Sequence, residues 1–406
     1  MILKSIRLEN FRLIKDFSLE LGRRITLFTG VNGSGKTAVL DGISIALGAV
    51  LTHLPEVSGI TFKKRGDIRQ VDNTVEPYSR ITLETTDGLK WDRMKKRDKS
   101  RSTIRLLPED SCGVRDLERF LDAEIIDPMN NGTPCQLPVF VAYGVSRALL
   151  TPPHTRKGFP KSHQRFEALH GALDAMSRFR SAFIWFYNKE NEEQRIQRSK
   201  KSFEITLPEL DTVRRALSAL FPDLSEPHIE VNPLRFVMRQ GSESFDILQL
   251  SDGYKTLLGL LIDLSSRMAM ANPHLDDPLS AEAVVMIDEL DLHLHPSWQQ
   301  RVIGDLLKIF KNTQFIFTTH SPYIVESANN NLKRFRIRNM QMDNEHIQML
   351  TPLDPDDTKA YLMRGADGFD SLMNDELGLL DDRLIEPFNQ ITALYDRMRD
   401  IEWEHK

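Results

Sequence analysis

Gly30-Val31-Asn32-Gly33-Ser34-Gly35-Lys36-Thr37 decides the reading of this chain. The apolar stretch Ile25-Thr26-Leu27-Phe28 precedes it, and a helical pattern from Thr37 to about Leu47 follows. The spacing G-x-x-x-x-G-K-T between a strand and a helix is that of a P-loop. Its glycines let the backbone curl, so that the N–H groups of Asn32, Gly33, Ser34 and Gly35 can point inward at phosphate oxygens. Lys36 brings a point charge for the β- and γ-phosphates, and Thr37 a hydroxyl for Mg2+. The pattern implies a bound nucleoside triphosphate.

Around that loop the composition is that of a globular protein: 406 residues, 40% hydrophobic and 27% charged, enough for two or three lobes with their own cores. No apolar run approaches the ~18 residues needed to cross a bilayer, and the N-terminus lacks a signal-peptide layout. The expectation is a cytoplasmic protein without membrane contact. Cys112 and Cys135 have neither metal-site spacing nor companions for a disulfide framework. A net charge of −5 excludes a uniformly basic coat, so contact with DNA would need a local patch.

Residues 2–8 alternate as a half-buried strand, and 16–21 form a second after a turn at Glu9-Asn10-Phe11-Arg12. Tyr78 to Trp91 alternates around Asp87-Gly88, a hairpin signal. The basic run Lys95, Lys96, Arg97, Lys99, Arg101 follows, with Lys63-Lys64-Arg65 earlier in the same lobe. Such a run serves either as a solvated face or as a contact to a phosphate backbone. Leu137 to Ala142 reads as a strand, and Thr151-Pro152-Pro153 as a boundary. Phe166, Leu169, Leu173, Met176, Phe179 and Phe183 recur at helical spacing, which predicts one helix from Phe166 through Phe186 into the charged 188–201. A further helix is expected from Pro208 to Leu220, then strands at 228–231 and 234–239.

Leu250-Ser251-Asp252-Gly253-Tyr254-Lys255 opens an apolar helix with Ser251 at the N-cap and Gly253 where close approach to the backbone is possible. Val284-Val285-Met286-Ile287-Asp288-Glu289 is a buried strand ending in two acids, the form of a Walker B strand. Asp288 suits Mg2+, and Glu289 suits the orientation or deprotonation of a water. Leu290-Asp291-Leu292-His293-Leu294-His295-Pro296 follows, and a strand at 314–318 delivers His320. His293 and His295 lack a third ligand at zinc spacing.

P-loop, Ser-x-Gly helix, acid pair and strand-end histidine, in that order, resemble the ABC-type ATPases. Within these the non-transporter branch of SMC, RecF and overcoming-lysogenization-defect ATPases is the most similar. The resemblance implies an α/β ABC-ATPase head with an antiparallel β-subdomain, a helical insertion and a helical C-terminal extension. It also implies ATP and Mg2+ as cofactors, and a homodimer or higher homo-oligomer in which Ser251 and Gly253 of the signature motif complete the site of the opposite subunit. The motif here, Leu-Ser-Asp-Gly-Tyr, departs from the commoner Leu-Ser-Gly-Gly-Gln. Asp291 matches the D-loop aspartate, His320 the histidine that senses the γ-phosphate, and Arg12 an N-terminal arginine that reaches the nucleotide. Gln70 and Gln136 are the positional candidates for the Q-loop glutamine.

On these signals the chain divides into an N-terminal lobe (1–150), a helical insertion (151–245), a lobe with the second motif set (246–340) and an acidic helical extension (341–406). The insertion is too short for SMC coiled-coil arms. The segment after His320 lacks the spaced acids of a Toprim nuclease. The chain therefore resembles the PtuA-like ATPases of Septu and retron anti-phage systems, which implies an effector in trans, such as an HNH-type nuclease or retron components. A RecF-like repair ATPase and an ATP-gated scaffold with little hydrolysis are the alternatives. In the extension, 14 acids face 6 bases over 352–406. Leu377, Leu380, Leu384, Phe388, Ile391, Leu394 and Met398 predict one apolar face of a helix from Asp375 to Ile401.

Overall fold

The computed structural model describes the whole chain except residues 149, 151, 154, 157, 158, 160–162, 175–178, 341–343, 375, 382–392, 400, 402 and 404–406. Strands β1 (Leu3–Phe11), β2 (Ile14–Glu20) and β3 (Ile25–Thr29) lead into the helix Lys36–His53. A small ladder of β4 (Gln70–Val71) and β5 (Thr74–Val75) precedes the hairpin β6 (Tyr78–Thr85) and β7 (Lys90–Lys96). That hairpin turns at Gly88, where φ is 87°, as the Asp-Gly signal predicts. The four longer strands form an antiparallel sheet in the order β2-β1-β6-β7.

The central sheet runs β15-β14-β3-β13-β12-β8, where β8 is Val139–Tyr143, β12 Ala283–Ile287, β13 Thr313–Thr318, β14 Thr358–Met363 and β15 Phe369–Ser371. Every pairing from β14 to β8 is parallel. β3, β8, β12 and β13 are buried at every residue, which is why none of them alternates: β8 and β12 are apolar runs, and β3 and β13 have apolar centres with buried threonines and Gln314. The Lys36–His53 helix lies between the two sheets and is buried on nearly every face. Trp91 of β7 donates its indole N–H to the Ala46 carbonyl at 3.0 Å, and the Ser44 hydroxyl meets the Met286 sulfur of β12 at 3.7 Å. Fully buried Gln314 joins the sheets: its amide accepts from Leu3 N at 2.9 Å and donates to the Leu3 and Gly22 carbonyls at 2.7 and 2.8 Å.

A lateral lobe packs the helices Phe179–Lys200, Pro208–Leu220 and Asp252–Ala271 with a sheet of β9 (Ser225–Val231), β10 (Leu234–Gln240) and β11 (Glu243–Asp246). Phe179, Phe183 and Phe186 surround Phe236 there, at ring-centroid distances of 6.4, 6.4 and 5.1 Å. The single helix expected from Phe166 is instead two pieces. A 3-10 turn at Arg165–Leu169 ends before Gly171, whose φ is 54°, and the α-helix begins at Phe179. Phe166, Leu169, Leu173, Phe179 and Phe183 are all buried, so the stripe is core even though the helix is broken. Met176 lies outside the described residues.

The C-terminal segment departs most from expectation. β14 enters the central sheet beside the P-loop strand β3, with Thr358 opposite Ile25 and Leu362 opposite Thr29. The start of the expected Asp375–Ile401 helix is a strand pair, β16 (Met373–Asn374) with β17 (Leu379–Leu380), and Leu380 is buried. The Asn374 side chain accepts from Glu376 N and Leu377 N, and Gly378 at φ 57° closes the turn, so local hydrogen bonds displace the helix. Leu384, Phe388 and Ile391 lie outside the described residues, and 393–399 are helical with Leu394 and Met398 exposed.

Candidate functional site

The P-loop leaves β3 at Gly30, whose φ of 137° no side chain adopts easily and where a Cβ would sit 2.6 Å from the Met363 carbonyl of β14. Gly33 and Gly35 also take positive φ, 79° and 97°, and the Ser34 N–H between them donates to the Val31 carbonyl at 3.2 Å, so the loop curls back on itself. Lys36 is buried and donates to the carbonyls of Gly30 and Val31, both at 2.9 Å. Burial pushes its ammonium pKa down, while Asp288, Glu289 and Asp291 pull the other way. The Thr37 hydroxyl meets the two Asp288 carboxylate oxygens at 3.2 and 3.0 Å. A hydroxyl and a carboxylate side by side at the end of the P-loop make a hard-oxygen donor set that fits Mg2+ beside a phosphate chain.

β12 carries Asp288 and Glu289 to the same place. The Asp288 N–H donates to the Tyr143 carbonyl at 2.8 Å, and the Thr318 hydroxyl at the end of β13 donates to its carboxylate at 2.5 Å. Glu289 sits at φ 50° with its N–H held by the Thr318 hydroxyl at 2.7 Å. A left-handed glutamate costs about 1 kcal/mol or more, so its surroundings must hold it there. Asp291 accepts from the Thr319 hydroxyl and from His320 N at 3.3 Å, which links it to the strand end that carries His320.

Arg12, Leu13, residues 32–38, Asp288, Glu289 and His320 line one pocket of about 340 Å3. Arg12 is pinned at its rim by Asp41 at 2.6 Å and by buried Asp67 at 3.0 Å. Ser251 and Gly253 are not part of this pocket. Ser251 stands at the start of the Asp252–Ala271 helix, exposed, and its hydroxyl makes no cap hydrogen bond. It lines a separate cleft with Phe221, Tyr254, Trp298 and Arg301. Gly253 is required by its own protomer, since a Cβ there would lie 2.6 Å from the His293 carbonyl.

Of the basic run, Lys95 and Arg97 line a cleft of about 640 Å3 with Arg12, Lys64 and Arg65, and the cleft adjoins the P-loop pocket through Arg12 and Leu13. Arg97 is already engaged there, paired with Asp98 at 3.1 Å and bonded to Val75 O and Thr103. Lys96, Lys99 and Arg101 do not line it. Gln70 lies on this cleft, and Gln136 in a pocket beside Met1 and Glu282, so neither lines the P-loop pocket. His295 accepts from Ser297 N to cap a short helix, and among the described residues no group of three or more His, Cys, Asp or Glu could hold a metal.

The residue that spacing alone did not reveal is Arg147, on the turn Val145–Ala148 after β8. Only 2% exposed, it donates to the carbonyls of Gly144 at 3.2 Å, Asp288 at 2.5 Å and Glu289. Burial pulls its guanidinium down to about 10, against the pull of Asp288, Asp291 and Glu289.

A parallel sheet whose P-loop strand, acid-pair strand and histidine strand are neighbours, converging on one pocket, defines an α/β P-loop ATPase head. Residues 25–326 match the family described as AAA domain, putative AbiEii toxin, Type IV TA system, and the chain belongs to that family. It is 43% identical over 122 residues to the retron Ec83 probable ATPase of Escherichia coli, a match covering 30% of this chain and 22% of that protein. It is 25% identical over 381 residues to the retron Vc95 probable ATPase of Vibrio cholerae, covering 80% and 72%. With the Septu protein PtuA of Bacillus mycoides it shares 36% identity over 116 residues, covering 28% and 16%. The chain thus spans less than a quarter of two of these relatives and nearly three quarters of the third. Among the described residues no helix is long and apolar enough to cross a membrane.

Proposed function

We propose that this chain is an ATPase head that dimerises around two Mg-ATP molecules and uses their state to control a separately encoded effector, a nuclease, in anti-phage defence. The observation that carries the ATPase part is the convergence of Lys36, Thr37, Asp288, Glu289 and His320 on one pocket. Lys36 and the P-loop N–H groups bind the phosphates, with Asn32, Gly33, Ser34 and Gly35 shaping the loop and Arg12 at the nucleotide's edge. Thr37 and Asp288 would hold Mg2+, which would supply neutralisation of phosphate charge there. Glu289 orients the attacking water and takes its proton, while His320, anchored to Asp291, reads the γ-phosphate. Catalysis here is positioning and charge neutralisation.

Dimerisation is supported by Ser251. Its hydroxyl makes no cap hydrogen bond, and the N-terminus of this 20-residue helix lies on a cleft other than the protomer's own P-loop pocket, where such a terminus suits an anion supplied by a second copy. The similarity to retron and Septu proteins supports the defence role and an effector in trans. The cleft beside the P-loop supports DNA contact, now through Lys64, Arg65 and Lys95 with Arg97, in place of the full basic run. The test mixes Lys36→Ala chains with Ser251→Arg chains. Heterodimers then carry one doubly broken site and one intact site, and ATP turnover should reappear where each variant alone is dead. Full turnover by a strictly monomeric preparation would refute the shared site.

A further inference from the structure

We propose that Arg147 is a positioning residue for hydrolysis, setting the direction of the Glu289 carboxylate from behind. The inference rests on the ATPase reading above. β8 and β12 run side by side, and the Asp288 N–H donates to the Tyr143 carbonyl, so the turn that carries Arg147 leaves the sheet next to the acid pair. There the guanidinium takes the carbonyls of both Asp288 and Glu289. Glu289 is consequently held at both ends of its backbone by side chains, its N–H by Thr318 and its carbonyl by Arg147, and only its own side chain is left to enter the pocket.

Two features separate this from ordinary packing. No carboxylate lies within ion-pair distance of Arg147 among the described residues, so the hydrogen bonds of this buried cation go to backbone carbonyls, and Asp288, Asp291 and Glu289 attract it only from further off. Such a cation is costly, and an apolar side chain of similar size would fill the space without that cost. The turn is also seated firmly. At Gly259 of the Asp252–Ala271 helix a Cβ would crowd the end of the Leu150 side chain at 2.6 Å and touch the Arg147 carbonyl at 3.9 Å, so the helix packs directly on the turn. A rigid helix thus backs the turn, the turn backs the guanidinium, and the guanidinium backs the left-handed Glu289. Neither Gln70 nor Gln136 lines the pocket that Glu289 enters.

The test compares Arg147→Lys and Arg147→Met in the full-length chain, reading ATP affinity, kcat, KM and melting temperature, alone and combined with Glu289→Gln. A lysine keeps the charge and loses the fork that spans two carbonyls. Arg147→Lys should lower kcat about 10²-fold, the scale of a small misplacement of a catalytic group, with ATP affinity unchanged within about threefold. In single-turnover assays on the Glu289→Gln background it should add nothing, because it acts through the carboxylate already removed. Multiplying losses in the double variant would overturn the proposal, as would ATP affinity falling in step with kcat or a Lys variant that does not fold. Arg147→Met with wild-type kcat would overturn it equally. A wild-type chain without turnover sinks the parent reading instead, and the two failures are told apart by that control.

Discussion

Replacing Lys36 and Glu289 one at a time separates binding from chemistry, because the structure gives the two residues different contacts. The Lys36 ammonium bridges the loop carbonyls of Gly30 and Val31 and is the buried cation among the residues lining the pocket. Lys36→Ala removes a charge-assisted contact of about 1.5–3 kcal/mol to phosphate and the two bonds that shape the loop. ATP affinity should fall about 10- to 10²-fold from that contact, with the loss of the loop bonds adding to it. The Glu289 carboxylate makes no hydrogen bond or ion pair among the described residues, and its backbone is held by Thr318 and Arg147 whatever the side chain. Glu289→Gln should therefore leave the fold intact and ATP bound as tightly or slightly more so, since one negative charge facing the phosphates is gone. Turnover should drop about 10²–10⁴-fold, the usual worth of a general base, or about 2.7–5.4 kcal/mol in barrier. A fluorescent ATP analogue titrated into each variant gives the affinities, and phosphate release gives the rates. Equal loss of nucleotide binding in both would refute the assignment of Glu289.

Charge reversal of Lys64, Arg65 and Lys95 should flatten the salt dependence of DNA binding by about two to three units of log–log slope, close to one counterion per contact; gel shifts at stepped salt check this. Reversal of Lys99 and Arg101, which do not line the cleft, should change the slope by less than about one unit, and a reversed ranking would return the cleft to a solvated face. Truncation after Asp381 should leave ATP binding and melting temperature near wild type. Truncation after Thr351 should unfold the head, because it strips β14 from its pairing with β3 and removes the Met363 carbonyl that packs on Gly30. A well-folded, ATP-binding chain ending at Thr351 would contradict that pairing.

Most of the sheet was legible because its buried strands have a simple cause. A strand covered on both faces loses the alternation of apolar and polar positions: Ala283–Ile287 is apolar throughout, and Ile25–Thr29 and Thr313–Thr318 keep apolar centres with threonine and Gln314 as their polar positions. β14 escaped for the converse reason. Thr358-Lys359-Ala360-Tyr361-Leu362-Met363 has a charged and a half-exposed position and sits in an acidic segment, so net charge hid it. The expected helix after it failed at Gly378, whose place inside a helical spacing was itself the sign of a turn. The P-loop, acid pair and His320 were readable because phosphate chemistry demands particular residue types at particular spacings. Arg147 was not, because a guanidinium bonded to backbone carbonyls has no spacing signature, and its role follows only from β8 lying beside β12.

Gly253 shows how a correct residue can carry an incomplete reason. A glycine three residues into the signature segment suggests room for a ligand, yet the group that occupies the room is the carbonyl of His293, four residues beyond Glu289. The same helix meets the Arg147 turn at Gly259, about 1.7 turns further along. Its two close contacts therefore both lead to the acid-pair loop of its own protomer. In the proposed dimer the helix start belongs to the other subunit's nucleotide. A shift of Glu289 when one ATP is cleaved would press on His293 and Arg147, and through them on the helix that presents Ser251 across the interface. The two sites would then be joined by rigid packing of a few side chains and carbonyls, and the spacing of Glu289, His293 and Gly253 is what makes that joint short.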